Sequence, residues 1–424
     1  YEICSRDWSS DVCSSDLGSQ ARLNWIKVLN QLPRYVYYLL VAQAFNLIAA
    51  VLSVTVSAIV GLKLAPTQAL ATVPYGFQFL AMLLTTFIFS FLMKKLGRHL
   101  VFQFGCVCLF LAGVLGYLAL QQQQFYLLCL SHFSLGLFIS TANFYRFAAS
   151  DRLATDLIPK ATAMVISGGV IAAIIAPMLA IQFQQVAGLP DFTAIYFIFS
   201  VLALLLSPTL YLWNKKFQRQ QTQQVLIEPT QRSKLPSTLI IAAVISGAFA
   251  YYIMNVMMIM SSLHLKEHHS FHYASISIQL HVLAMFIPSF FVSKLIQRWG
   301  THTTIYVGFA LLMLSSLIPM FGQVGIYINV ALIVLGVGWN FAYSGASTLL
   351  AAGLNEQQKH RVQGINETGI ALFATLGAFL PAPILSSLGW INANLLALCM
   401  SLIVFILLVI LIRRDQPSSK VSLG

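Results

Sequence analysis

Between Tyr35 and Ile412 the chain alternates apolar runs about 20 residues long with short polar turns, and this pattern leaves few folds open. A run of that length spans a bilayer as a helix, because in lipid only a helix or a closed barrel satisfies every main-chain amide. Twelve runs can be drawn, at 35–61, 71–93, 99–120, 125–148, 161–184, 192–213, 238–262, 273–293, 303–322, 326–353, 362–385 and 390–412. Only 8% of the residues are charged and 58% are hydrophobic, whereas a soluble domain carries about 25% charged residues. The expected fold class is an all-α membrane protein with 12 transmembrane helices.

Lys and Arg are divided unevenly between alternate turns, 21 on one side and 2 (Lys63 and Lys266) on the other. Cations mark the cytoplasmic side, so both termini and the central loop are expected in the cytoplasm. A net charge of +12 would suggest nucleic acid in a soluble protein. Here the cations follow the loops, so the expected partners are the lipid bilayer and a small-molecule substrate, with no nucleic acid.

Two turns are related. Ser90 to His99, SFLMKKLGRH, and Ser293 to His302, SKLIQRWGTH, each end an apolar run in cations, turn at a glycine (Gly97, Gly300) and start the next run. They lie 203 positions apart, and Gly136/Gly336 and Gly168/Gly369 repeat at offsets of 200 and 201. The first turn resembles the helix 2 to helix 3 signature of the major facilitator superfamily, G-x-x-x-D-R-x-G-R, with Lys94 where that pattern has Asp and with Gly97 and Arg98 retained. The second resembles its weaker echo between helices 8 and 9. The resemblance implies the major facilitator fold: two six-helix bundles, related by an axis along the membrane normal, around a midplane site used by alternating access.

The expected boundaries are a cytoplasmic N-terminal segment at 18–34, a first bundle at 35–213, a Gln-rich cytoplasmic linker at 214–237, a second bundle at 238–412 and a cytoplasmic tail at 413–424. Residues 1–17 stand apart, because Asp7 to Leu17 (DWSSDVCSSDL) matches a translated sequencing-library adapter. They are expected to be disordered and without function, the natural N-terminus being lost. Cys106, Cys108, Cys129 and Cys399 fall in apolar runs and read as small buried hydrophobes.

Polar residues inside a membrane are costly and therefore candidates for function. For substrate binding these are Asn46, Gln78, His132, Arg146, His281, Trp339, Asn340 and Tyr343. His132 takes the place of the arginine in the superfamily's helix 4 pattern, with Gly136 four residues on, and an imidazole titrates near neutrality. For proton coupling or gating the candidates are His132, Lys94, Lys95, Arg98, Asp151 and Glu367. Glu367 could receive Lys94 or Lys95 in place of the superfamily's missing aspartate, or take up protons itself. The run GGVIAAIIAP (Gly168 to Pro177) carries small residues at packing spacing and also looks like a worn antiporter signature. The group HLKEHHSFH, with His264, Glu267, His268, His269 and His272, is read as an outer loop whose spacing fits no standard metal site, so neither metal nor cofactor is expected.

The chain lacks a G-x-x-x-x-G-K-[ST] phosphate-binding loop. The expectation is therefore not an enzyme but a secondary active transporter, a monomer of the bacterial inner membrane, moving a neutral or anionic organic solute with proton coupling. The alternatives are proton-driven efflux of drugs or metabolites, and a receptor or scaffold in a transporter fold. A single reactive cysteine placed in the 214–237 linker is expected to label only from the cytoplasmic side. Labelling of intact cells by an impermeant maleimide would reverse the topology.

Overall fold

The computed structural model describes residues 32–151, 153, 161, 164–220, 237–322, 324–353 and 356–414. The adapter-like residues 1–17, nearly all of 18–34, most of the 214–237 linker and residues 415–424 lie outside these. What is described is nearly all helix. The order is α1 (Arg34–Leu64), α2 (Val73–Leu96), α3 (Arg98–Gln121), α4 (Phe125–Ala142), α5 (Tyr145–Ser150), α6 (Gly168–Gln182), α7 (Thr193–Gln220), α8 (Ser237–His268), α9 (Phe271–Phe286), α10 (Ser289–Trp299), α11 (Thr301–Leu317), α12 (Gly325–Gly353), α13 (Glu356–Phe379) and α14 (Pro381–Arg414).

Among the described residues, eleven helical stretches are long and apolar enough to cross a membrane. The helix outside that set is α13, whose first half, EQQKHRVQGINETG, is polar. The drawn runs also differ from the helices where the backbone breaks. The run drawn as 362–385 ends at Phe379, and a new helix starts at Pro381 and kinks at Gly389 (φ 73°), because proline cannot donate to the preceding turn. The run drawn as 273–293 divides at Pro288 into α9 and α10. The run drawn as 125–148 divides at Asn143 and Phe144 into α4 and the short α5.

Packing partners repeat along the chain. Helix α3 packs on α4 and α7 as α11 packs on α12 and α14; α2 meets α4 as α9 meets α12; α1 meets α6 and α7 as α8 meets α13 and α14. The two hairpin glycines have nearly the same backbone, φ 85° and ψ 151° at Gly97 against φ 84° and ψ 157° at Gly300. That region of backbone space is open essentially to glycine alone. Gly136 and Gly336 also match. A Cβ would stand 2.1 Å from the Gln78 carbonyl oxygen at the first and 2.7 Å from that of His281 at the second, so each lets two helix backbones touch.

Contacts between the early and late helices run mainly through α2 with α13 and α6 with α9. The small residues of GGVIAAIIAP serve packing on both sides: a Cβ on Gly168 would meet Leu40 and Ala44 of the early helix α1 at 3.0 Å, and one on Gly169 would strike the Phe286 ring of the late helix α9. The bundle end opposite the basic hairpins is closed. There Thr72 Oγ1 donates to the Phe379 carbonyl at 3.0 Å, the Phe77 and Phe379 rings lie 6.1 Å apart and the Phe192 and Phe271 rings 5.0 Å apart. Beside them Lys63 Nζ is 2.7 Å from Asp191 Oδ2 and 4.8 Å over the Phe192 ring. The bond from Lys63 holds the Asp191 carboxyl below the usual carboxylate range.

Gly97→Ala and Gly300→Ala are each expected to cost about 1–3 kcal/mol, because both positions need that glycine backbone. Thermal unfolding in detergent should register the loss. Gly364→Ala is the control: Gly364 is helical with nothing near its missing Cβ, so the change should be neutral or gain up to about 1 kcal/mol.

Candidate functional site

The break after α4 sets Arg146 in the first turn of α5, and from there its guanidinium reaches the late helices. Nη1 donates to Tyr343 Oη of α12 at 2.9 Å, and Nη2 lies 3.2 Å from Glu367 Oε1 of α13. The guanidinium also stands 4.8 Å over the Phe147 ring, and Asn366 Nδ2 donates to the same Glu367 oxygen at 3.3 Å. The two charged side chains are 25% and 28% exposed. Glu367 is twelve residues before Phe379 on α13, which at 1.5 Å per residue puts it about 18 Å below the closed end.

Three aromatic rings adjoin this pair. Trp339 and Tyr343, one turn apart on α12, stack at 5.1 Å and 9°, and Tyr251 of α8 meets both edge-on at 5.1 and 5.5 Å. The Trp339 indole Nε1–H is buried without a partner, and a buried donor of that kind calls for an acceptor. An aromatic cluster beside a guanidinium, a carboxylate and an unpartnered indole donor suits an aromatic ligand with polar edges.

The structure separates the remaining candidates. His132 is fully buried, with Nε2 3.0 Å from the Tyr196 hydroxyl and Nδ1 3.4 Å from Ser53 Oγ, while Ser53 donates to Gln78 Oε1 at 2.5 Å. This network knits α1, α2, α4 and α7, so His132 and Gln78 stand in helix packing and not on the aromatic wall. His281 Nδ1 donates to the Leu332 carbonyl at 2.8 Å, and Asn340 Nδ2 to Met285 O and Ser289 Oγ at 2.8 and 2.6 Å. Both join α12 to its neighbours. Asn46 is buried with Oδ1 unpartnered and only a 3.5 Å contact from Nδ2 to Gln43, so it keeps capacity for a ligand.

Arg98 and Asp151, both read as gating candidates, bind each other. Nε to Oδ2 is 2.8 Å and Nη2 to Oδ1 is 2.9 Å, while Tyr35 of α1 donates to the Asp151 carbonyl at 3.0 Å. The hairpin is thus tied to the end of α5. Lys94 and Lys95 lie exposed on the last turn of α2. The expectation that Glu367 receives one of them is corrected here, because the carboxylate is turned to Arg146, whose fork serves Glu367 and Tyr343 together. The histidine group is corrected too: α8 continues to His268, so His264, Glu267 and His268 share a helical turn and not a loop. Tyr251 and Tyr196 were missed. The available signal was a hydroxyl inside an apolar run, which must find a partner there.

The sequence matches the family model described as Major Facilitator Superfamily over residues 35–359 and 246–424. It is also 32% identical over 393 residues to the riboflavin transporter RfnT of Brucella anthropi, covering 91% of this chain and 96% of that one. The chain belongs to the major facilitator superfamily. It is therefore a multi-pass membrane transporter and not an enzyme. Among solved structures the nucleoside transporter NupG superposes with a TM-score of 0.65 at 12% identity, covering 90% of this chain and 99% of that one. A bacterial homologue of the iron transporter ferroportin, in an outward-facing state, gives 0.63 at 13%, covering 90% and 100%. At these identities the likeness concerns the fold alone.

Arg146→Glu and Glu367→Arg are each expected to lower transport about tenfold, the effect of a shift of about 1.4 kcal/mol in a conformational ratio. The double swap should recover a measurable part of the rate. Lys94→Glu should leave it within twofold. Recovery by pairing Lys94→Glu with Glu367→Lys, and none by the Arg146 swap, would return the latch to the hairpin.

Proposed function

We propose that the protein carries riboflavin, or a closely related planar flavin, across the bacterial cytoplasmic membrane by alternating access. The observation that carries this reading is the 32% identity over 96% of a riboflavin transporter. The chemistry of the wall agrees with it. An isoalloxazine is a flat tricycle with hydrogen-bonding imide edges and an uncharged polyol tail, and the Trp339–Tyr343 stack with Tyr251 offers a face for the rings. Arg146 and the indole of Trp339 offer donors for the edges, and Asn46 an amide oxygen for hydroxyls.

The same proposal includes α13 as a twelfth span, giving two six-helix halves at 35–213 and 238–412 with both termini in the cytoplasm. Support comes from the repeated packing partners, the matched hairpin glycines and the uneven cations. The closed end at Thr72 and Phe379 then faces outward. Energy is drawn from a proton gradient, with Glu367 as the acid within the spans that can join the proton path.

Uptake of tritiated riboflavin by a riboflavin-requiring bacterial strain tests this directly. Expression should confer saturable uptake that excess lumiflavin suppresses, and Trp339→Ala should reduce it at least tenfold with the protein still at normal level in the membrane. Uptake indistinguishable from the empty vector, together with no flavin movement in proteoliposomes of either orientation, would overturn the assignment.

A further inference from the structure

The last turn of α8 lies at the bundle end away from the basic hairpins, far along the helix from the aromatic wall. It presents His264, Glu267 and His268, at helical spacings of three and four residues that share one face. One ligand atom from each lies within 4.8 Å of the other two. Lys266, two positions from His264, falls on another face.

The two imidazoles are set for metal binding in different ways. His268 Nδ1 is 2.9 Å from the His264 carbonyl oxygen. A carbonyl can only accept, so Nδ1 carries the proton and the lone pair of the neutral ring is left on Nε2. Such a backbone partner on the second nitrogen is a recurrent means of orienting a metal-bound histidine. His264 is 5% exposed and its Nε2 is buried without a partner. Its ring is held against Trp390, stacked at 4.2 Å and 17°, just after the Gly389 kink, and lies 4.3 Å from the His268 ring. An imidazole fixed in place with an idle nitrogen, beside a second imidazole and a carboxylate, is an unexplained arrangement for packing alone.

We infer that this turn is a divalent transition-metal site, with His264, His268 and Glu267 as ligands and an ion of the zinc class as occupant. Two imidazoles and one carboxylate with the remaining position open to water form a recurring zinc set, with bonds of about 2.0–2.2 Å. Closing the present spacing around an ion needs rotation of Glu267 and His268, and both are exposed. Magnesium and calcium, which favour all-oxygen shells, are poorly served by two nitrogens. The site is independent of the flavin assignment. All three ligands belong to one helix, so occupancy stiffens the end of α8 where it abuts Trp390 and the start of α9.

The test uses the full-length protein in detergent, purified without a histidine tag and titrated with Zn²⁺ against a chromogenic chelator. One equivalent should bind in the micromolar range, and Co²⁺ should compete and give the visible absorption of a four-coordinate ion, whereas Mg²⁺ should not compete. His268→Ala and Glu267→Gln, both at exposed positions, should weaken Zn²⁺ at least tenfold while leaving the melting temperature without metal unchanged. His272→Ala should bind as the unmodified protein does. No stoichiometric binding, or equal loss in His272→Ala and His268→Ala, would overturn the site.

Discussion

In hydrocarbon a main-chain amide without a partner costs several kcal/mol, and the helices satisfy that demand internally. The same demand falls on the polar side chains inside them. Most answer it locally, by bonding to a carbonyl one turn back: Thr55 to Val51, Thr85 to Ala81, Thr86 to Met82, Ser277 to Tyr273, Thr375 to Ala371, Asn394 to Trp390 and Ser401 to Ala397. These side-chain donors are thereby satisfied within their own helices. Against that background the groups answered from across the bundle, or not answered at all, stand out. Among them are Arg146 with Glu367 and Tyr343, the indole of Trp339, Asn46 and, at the far end of α8, His264.

The internal repetition explains why the polar cluster lies where it does. The early helices and the late helices each approach one another closely at glycines such as Gly136 and Gly336. Contacts between the early and late helices run mainly through α2 with α13 and α6 with α9. Near the closed end those contacts are aromatic rings and one hydroxyl, Thr72. Deeper down, the link is an ion pair with a quarter of each side chain exposed. Partly exposed pairs contribute only about 1 kcal/mol. That is enough to bias two conformations and too little to lock them.

The fold was legible because each of its signals is local. Apolar runs, cations at their ends and a glycine at each hairpin are read without knowing which helices meet. The site was legible by residue and not by pairing. Arg146 and Glu367 were picked out as ionisable residues in or near the spans and Arg98 as part of the hairpin pattern, yet the partners offered to Glu367, on the analogy of a family pattern, were Lys94 or Lys95. Nothing in the sequence records that the chain breaks at Asn143 and turns Arg146 toward α12 and α13. His132 shows the same limit: imidazole chemistry is visible in a sequence, whereas the contacts with Ser53 and Tyr196 are not. Tyr251 was under-read, because a tyrosine among apolar neighbours has no spacing signature.

The Arg146–Glu367 pair has an electrical consequence. A membrane potential acts on a moving charge with about 2.3 kcal/mol per elementary charge per 100 mV, and so can drive any step that carries net charge through the field. Arg146 and Glu367 cancel while they stay together at 3.2 Å, so motion of the paired unit gives voltage almost nothing to act on. Parting them, with one charge on each half, creates a dipole across the moving interface and gives the field a grip on the transition. With an uncharged cargo, the part of the carrier's voltage response that is left after the charge of the coupled proton is subtracted therefore reports whether this pair stays closed or opens during the cycle.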